Sequence, residues 1–288
     1  MSQTWLITGC SSGFGELFVR KLRAAGDNVI ATGRSADVKL AHLKDTGAEI
    51  LDLDVSMPAE AIKAKIEQAW DLYPDGIDVV VNNAGYILSG ALEALTTQEI
   101  EDAMRTNFFG PFHVTQAVLP RMRAKGKGTL CYISSQAGWH GDASATGYCS
   151  TKFALEGMVE CLSKELAFMA PGIEVLLVEP GYFSTRAFHN VSFTHRVKDT
   201  PDYAQFHAGA RAHVDSVIDN EPGDSAKAVD RMIELVKGTG MAAGKTVPLR
   251  VPLGSDGWGK VKDKCEETLK ICEEWEEVAR STDVKPSA

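Results

Sequence analysis

Gln3-Thr4-Trp5-Leu6-Ile7-Thr8-Gly9-Cys10-Ser11-Ser12-Gly13-Phe14-Gly15 is the stretch on which the fold turns. Residues 3–8 form a short apolar run, the signature of a buried strand, and a helical pattern follows over 16–25. Glycine between strand and helix lets the backbone turn sharply and approach a pyrophosphate, while the helix start offers unpaired N–H groups and the positive end of its dipole. A glycine-rich turn alone is often only a turn. On a first strand, with a second strand following, Gly9, Ser11, Ser12, Gly13, Phe14 and Gly15 read as a dinucleotide cradle.

The alternation continues along the chain. Strands are expected over 28–32, 49–53, 77–81, 129–134, 174–178 and 246–251. Helices are expected over 58–72, 97–125, 148–169, 225–237 and 258–280. The run at 77–81 is continuously apolar, as a strand buried on both faces should be. Together these predict an α/β fold, a Rossmann-type doubly wound parallel sheet of about seven strands flanked by helices in a single domain. The expected catalytic domain covers residues 1–254, and residues 255–288 add a C-terminal helix and polar tail packed on it. Residues 186–223 lack clean periodicity and carry Phe188, Phe193, Tyr203 and Phe206 among polar residues. Lying just past a ligand-binding sheet edge, this stretch is expected to form a substrate lid, and its aromatics either meet substrate or pack the lid onto the body.

Strand ends carry the candidate ligand contacts. Gly33-Arg34-Ser35 closes the second strand without the acidic residue that would bond adenosine ribose hydroxyls, and Arg34 supplies a planar cation suited to a 2′-phosphate. NADP(H) is therefore expected over NAD(H), with a solvated arginine as the plain alternative. Asp54 and Val55 end the third strand, where the carboxylate could accept from an adenine amino group. Asn82-Asn83-Ala84-Gly85 ends the fourth, with its asparagines either bonding neighbouring strands or meeting the cofactor. Pro111 removes a helix donor and predicts a bend that frees carbonyls around Asn107 for water or side chains.

Tyr148-Cys149-Ser150-Thr151-Lys152 places a phenol and an ammonium four residues apart on one helix face. A bare Tyr-x-x-x-Lys is usually a solvated face. Beside Ser134-Ser135 at a strand's carboxyl end, it becomes a proton-transfer device in which a cation lowers a phenol's pKa from about 10.

Composition sets the limits. The chain has 288 residues, 44% of them hydrophobic, enough for a sizeable core, and a net charge of −9 with no basic stripe for nucleic acid. No apolar run approaches the roughly 20 residues of a membrane span, and the start shows no signal-peptide pattern, so a cytoplasmic protein is expected. Six cysteines without Cys-x-x-Cys fit reduced thiols, and seven histidines without ligand spacing predict no metal.

Thr8-Gly9-x-x-x-Gly13-x-Gly15, Asn82-Asn83-Ala84-Gly85, Asn107, Ser135, Tyr148-x-x-x-Lys152 and Pro180-Gly181 resemble, in order and spacing, the short-chain dehydrogenase/reductase family over about residues 3–250. In length and in Gly254-Ser255-Asp256, the chain looks most like the 17β-hydroxysteroid-dehydrogenase-like branch. The resemblance implies a catalytic set of Asn107, Ser135, Tyr148 and Lys152. Tyr148 would exchange the proton, Ser135 would hold the substrate oxygen, and Lys152 would lower the Tyr148 pKa and bond the nicotinamide ribose. Asn107 would position a relay water. The implied cofactor contacts add Asn83, Ala84, Gly85, Pro180, Gly181, Phe183 and Thr185 to the cradle, with Tyr148 and Lys152 shared. Ser135 is favoured over Ser134 by the family's usual spacing to Tyr148. Phe14 stands where a small branched residue is common and should alter only packing beneath the cofactor.

The expected activity is an NADP-dependent oxidoreductase acting on a carbonyl or secondary alcohol of a hydrophobic small molecule, as a homodimer or homotetramer. Two other readings stay open: an NADPH-binding sensor without turnover, and a non-redox isomerase or cyclase. An intact Tyr148 set speaks against the sensor, and cofactor consumption separates the redox reading from the isomerase or cyclase.

Overall fold

Trp5, Leu6 and Ile7 alternate between two hydrophobic cores, and that alternation builds the molecule. A computed structural model describes residues 2–284. The strands are β1 (Thr4–Ile7), β2 (Asn28–Gly33), β3 (Glu49–Asp52), β4 (Val79–Asn82), β5 (Leu88–Ser89), β6 (Gly128–Ile133), β7 (Ile173–Pro180), β8 (Ser192–Phe193) and β9 (Arg250–Leu253). The helices are α1 (Gly13–Ala24), α2 (Ala36–Lys39), α3 (Ala59–Trp70), α4 (Thr97–Met104), α5 (Gly110–Lys125), α6 (Thr146–Met169), α7 (Ala204–Val217), α8 (Ser225–Lys237), α9 (Ser255–Glu274) and α10 (Glu276–Arg280).

Seven strands form one parallel sheet in the order β3-β2-β1-β4-β6-β7-β9. Trp5 and Ile7 face a core completed by Phe18 and Leu22 of α1 and by Val229 and Met232 of α8. Leu6 faces the opposite core with Ile62 and Ile66 of α3, Val114 and Val118 of α5, and Leu155 and Val159 of α6. Burial on both faces explains the near-continuous apolar strands. Strand order reverses beside β1, so β1 and β4 diverge at their carboxyl ends and open the crevice where such sheets bind ligands.

The helix expected over 97–125 carries the expected break just before the donor-less Pro111, as a π turn at Arg105–Phe109, whereas Pro120 is accommodated within α5. Other expectations are revised. The last strand begins at Arg250 rather than 246, because the ladder with β7 starts at Leu177↔Arg250 and Pro248 has no N–H to donate. The stretch at 186–223 contains a regular helix, α7, whose pattern was hidden because only His207 and Val214 on it are buried. A second, two-stranded sheet pairs β5 with β8 and ties this stretch to the loop after β4.

The C-terminal helix also differs from the reading of 258–280 as one packed element. It starts at Ser255, breaks at Trp275, and buries only Gly257 in α9, so that every residue from Cys265 through Val284 is exposed. Of the polar tail expected after Ser281, residues 285–288 lie outside the described residues.

Candidate active site

Thr8, at the end of β1, holds the first wall together. Its hydroxyl accepts from the backbone N–H groups of Asn83 and Ala84, both at 3.0 Å. Asn83 Nδ2 donates back to the carbonyls of Thr8 (2.8 Å) and Gly9 (3.1 Å). Asn83 thus takes the structural role, bracing the glycine turn. Gly9 has φ +72°, and a Cβ there would lie 2.8 Å from Ala84 Cα; on Gly15 it would lie 2.4 Å from the Gly9 carbonyl oxygen. Only glycine fits at either position.

The turn ends in an open helix start. Ser12 caps α1 with extended backbone, but its side chain accepts no hydrogen bond from the helix. The first N–H groups therefore remain available for an anion. Ser11 is exposed, and Gly13 lies against Thr185, whose Cβ would be 3.3 Å from a Cβ on that glycine. Arg34 is exposed at the carboxyl end of β2 and, among the described residues, has no carboxylate within ion-pair distance. A backbone cradle, an open helix N-terminus and an unpaired guanidinium fit a phosphorylated dinucleotide.

Three expected contacts have other duties. Asp54 Oδ1 is engaged with the Ser56 N–H (2.9 Å) and hydroxyl (2.7 Å), leaving its second oxygen for a ligand. Val55 is buried, with its side chain against Gly110 at the start of α5. Phe183 is also buried, its ring edge-on to Phe14 at 5.6 Å, so it supports the turn from below instead of facing the crevice. Phe14 accordingly alters packing, as its position suggested. Pro180 ends β7 in register with Leu253, and the loop beyond is fixed by Asp256, which accepts from the Tyr182 N–H at 2.7 Å.

The second wall is built from side chains. Ser135 follows β6 and accepts from the Ala137 N–H at 3.1 Å, which orients its hydroxyl. Ser134 points the other way and is buried beneath the 136–138 turn. One turn into α6, Tyr148 faces Ser135; Lys152 lies on the same face, its Nζ 5.7 Å from the Tyr148 ring centre and donating to the Ile133 carbonyl at 2.8 Å. Asn107 is fully enclosed. Its Oδ1 accepts from Tyr86 N (3.0 Å) and its Nδ2 donates to Tyr86 O (2.9 Å) and Thr151 Oγ1 (3.1 Å). Thr151 in turn donates to the Tyr148 carbonyl at 2.7 Å. The Asn107 side chain therefore ties the Asn83–Tyr86 loop to α6.

Electrostatics corrects one expectation. Burial pushes the Tyr148 phenol up to about 12, with Ser135 pulling the other way. Lys152 is itself drawn down to about 8 by burial, against the raising effect of Glu156. Desolvation is the larger effect on the phenol, so in the chain by itself Tyr148 stays protonated at neutral pH.

Behind this wall sits a charged group that the sequence reading missed. Arg250 donates to Glu156 (2.8 Å) and Glu160 (2.9 Å), and its Nε lies 3.6 Å from Glu179. Glu179 is wholly buried, and desolvation raises its pKa to about 7 against the lowering effects of Trp139 and Arg250. Glu156 could have been found four residues after Lys152, on the same helix face. Glu179 stood out as an acid in an apolar strand. Arg250 gave no local signal.

Fold and site have clear relatives. The family profile of short chain dehydrogenases matches residues 3–195. A 3-ketodihydrosphingosine reductase of Bacteroides thetaiotaomicron is 36% identical over 70% of this chain and 72% of its own. The oxidoreductase calM of Penicillium decumbens is 34% identical over 88% of this chain and 84% of its own. Among solved structures, a short-chain dehydrogenase from Streptomyces avermitilis superposes with a TM-score of 0.83 at 35% identity, covering 98% of both chains. The chain belongs to the short-chain dehydrogenase family and is an oxidoreductase of that kind.

Proposed function

We propose that the chain reduces the carbonyl of a hydrophobic small molecule with NADPH, and can run the reverse oxidation of a secondary alcohol. The observation that carries this reading is the convergence of Ser135, Tyr148 and Lys152 beside the glycine cradle at the carboxyl edge of the sheet. Gly9, Gly13, Gly15 and the start of α1 would hold the pyrophosphate, Arg34 the 2′-phosphate, and Lys152 and Thr185 the nicotinamide half. When bound, the cofactor supplies the hydride.

The chain's own residues supply the proton. Ser135 holds the substrate oxygen through its hydroxyl. Tyr148, protonated at neutral pH, donates to that oxygen in the reductive direction and takes the proton back in the reverse one. The ammonium of Lys152 stands beside it to stabilise the phenolate left behind. Asn107 fixes the distance between the loop and α6 across which this occurs.

A hydrophobic substrate is supported by the lid. Tyr182 meets Phe188 edge-on at 4.8 Å and lies 6.4 Å from the His213 ring, forming an aromatic wall next to the Tyr148 helix. The name of the 3-ketodihydrosphingosine reductase gives that relative a ketone to reduce, which agrees with the reading. Six free thiols fit a reducing compartment such as the cytoplasm, and among the described residues no helix is long and apolar enough to cross a membrane. We take the working assembly to be a homodimer or homotetramer.

The test is the absorbance of the reduced nicotinamide on mixing the protein with NADPH or NADH and a panel of hydrophobic ketones, aldehydes and quinones. Turnover favouring NADPH is expected, with Tyr148→Phe losing about 10²–10⁴-fold in kcat at unchanged thermal stability. NADPH binding without turnover of any carbonyl would overturn the reading in favour of a sensor.

A further inference from the structure

The last helix of the chain is long, charged and almost wholly in water. From Cys265 through α10 no residue is buried, with Leu269 63% and Trp275 59% exposed. An isolated helix of this length is marginal in water, because most helical stability comes from packing an apolar face. This arm nevertheless carries such a face. Val261, Cys265, Thr268, Cys272 and Trp275 recur at the alternating four- and three-residue spacing of a coiled-coil seam, with Leu269 beside it. Along its inner side runs a groove of about 450 Å³ between the arm (Cys265, Thr268, Leu269) and the body (Gly138, Trp139, Phe153).

Charge selects the occupant. Lys260, Lys262 and Lys264 outnumber Asp256 and Asp263 in the first half of α9, whereas Glu273, Glu274, Glu276 and Glu277 outnumber Lys270 and Arg280 at the far end of the arm. Contacts within the helix, such as Lys262–Glu266 at 3.0 Å and Lys264–Glu267 at 2.8 Å, are exposed and worth only tenths of a kcal/mol. A parallel copy would set acid against acid. An antiparallel copy centred between Thr268 and Leu269 sets each lysine cluster against the glutamates of the other and Cys265 opposite Cys272.

We propose that this arm is an interaction surface for a second copy of the same chain, the two arms lying antiparallel about the Thr268–Leu269 pair and filling each other's grooves. The contact lies beside Gly138 and Trp139, which follow Ser135 in sequence. It is separate from the redox reading and stands or falls without it.

The experiment uses full-length protein with Cys161 replaced by serine, leaving Cys265 and Cys272 as the exposed thiols. Within one helix, residues seven apart are separated by about 10 Å, too far for a disulfide. A mixture of Cys265→Ser and Cys272→Ser proteins should form a covalent dimer on mild oxidation, and neither protein alone should do so. Light scattering should show a dimer of the parent whose dissociation constant rises at least about tenfold in Leu269→Asp. Disulfide dimers from either single variant alone, a monomeric parent at tens of micromolar, or a dimer untouched by Leu269→Asp would each overturn the proposal; a monomer would leave the arm for a basic partner.

Discussion

The two walls of the candidate site are built by opposite means. On the β1 side, Gly9 and Gly15 make a shape that any Cβ would spoil, and the bracing hydrogen bonds from Thr8 and Asn83 are neutral. On the α6 side, shape matters less than charge. A phenol, an ammonium, two buried carboxylates and a guanidinium line this side, where burial shifts Tyr148, Lys152 and Glu179 and Arg250 pairs with the carboxylates. One wall is specified locally by the backbone; the other is specified only once β7, β9 and α6 have met.

Arg250→Ala tests the charged wall most severely. It leaves Glu156 and Glu179, 6% and 0% exposed, without their cation, and removing one partner of a buried pair costs about 3–5 kcal/mol. Urea unfolding at neutral pH reads that loss, which should shrink in acid as the carboxylates take up protons. Glu179→Gln goes the other way. A carboxyl whose pKa rises from 4.5 to about 7 on folding binds more protons in the folded state between those values. Its contribution is therefore present below pH 4.5 and lost as pH rises to 7, by up to about 3 kcal/mol. The variant should be more stable than the parent above pH 7, with no gain near pH 4.

The backbone wall should respond without any pH dependence. Gly9→Ala meets both the positive φ and the Ala84 backbone, so a loss of about 1–3 kcal/mol is expected, equal at pH 5 and pH 8 by thermal unfolding. Arg34→Ala is the smallest change. NADPH binding should weaken by about tenfold, near 1.4 kcal/mol, with NADH binding unaffected in a fluorescence titration. Equal weakening of both nucleotides would remove Arg34 from the 2′-phosphate.

This contrast also explains what could be read from the chain alone. The glycine turn, the buried strands and the Tyr148–Lys152 pair are short-range patterns, and all occupy the expected elements. Asn107 was legible as a site residue because Pro111 follows it, but its three side-chain hydrogen bonds depend on Tyr86 and Thr151, distant in sequence. Val55 and Phe183 were assigned to the ligand by position, yet their side chains complete the core because Gly110 and Phe14 lie against them. The lid helix stayed hidden, since a helix that buries two residues a double turn apart leaves little periodicity to detect. The expected lowering of the Tyr148 pKa rested on the Lys152 charge alone, and burial, which only the assembled fold shows, acts in the opposite direction.

The widened turn at Arg105–Phe109 has a consequence for the two helices it joins. A π turn holds one residue more than an α turn, which rotates everything after it by about 100°. Deleting a single residue there would bring α4 and α5 into one helical phase, broken only by the missing Pro111 N–H, and still ruin the molecule. Either Ala103 would leave its place beneath the loop, or Val114, Val118 and Met122 would turn from the sheet toward solvent. The extra residue works as a phase shifter, letting one rod satisfy two surfaces that differ in angular setting, with Asn107 standing where the phase changes.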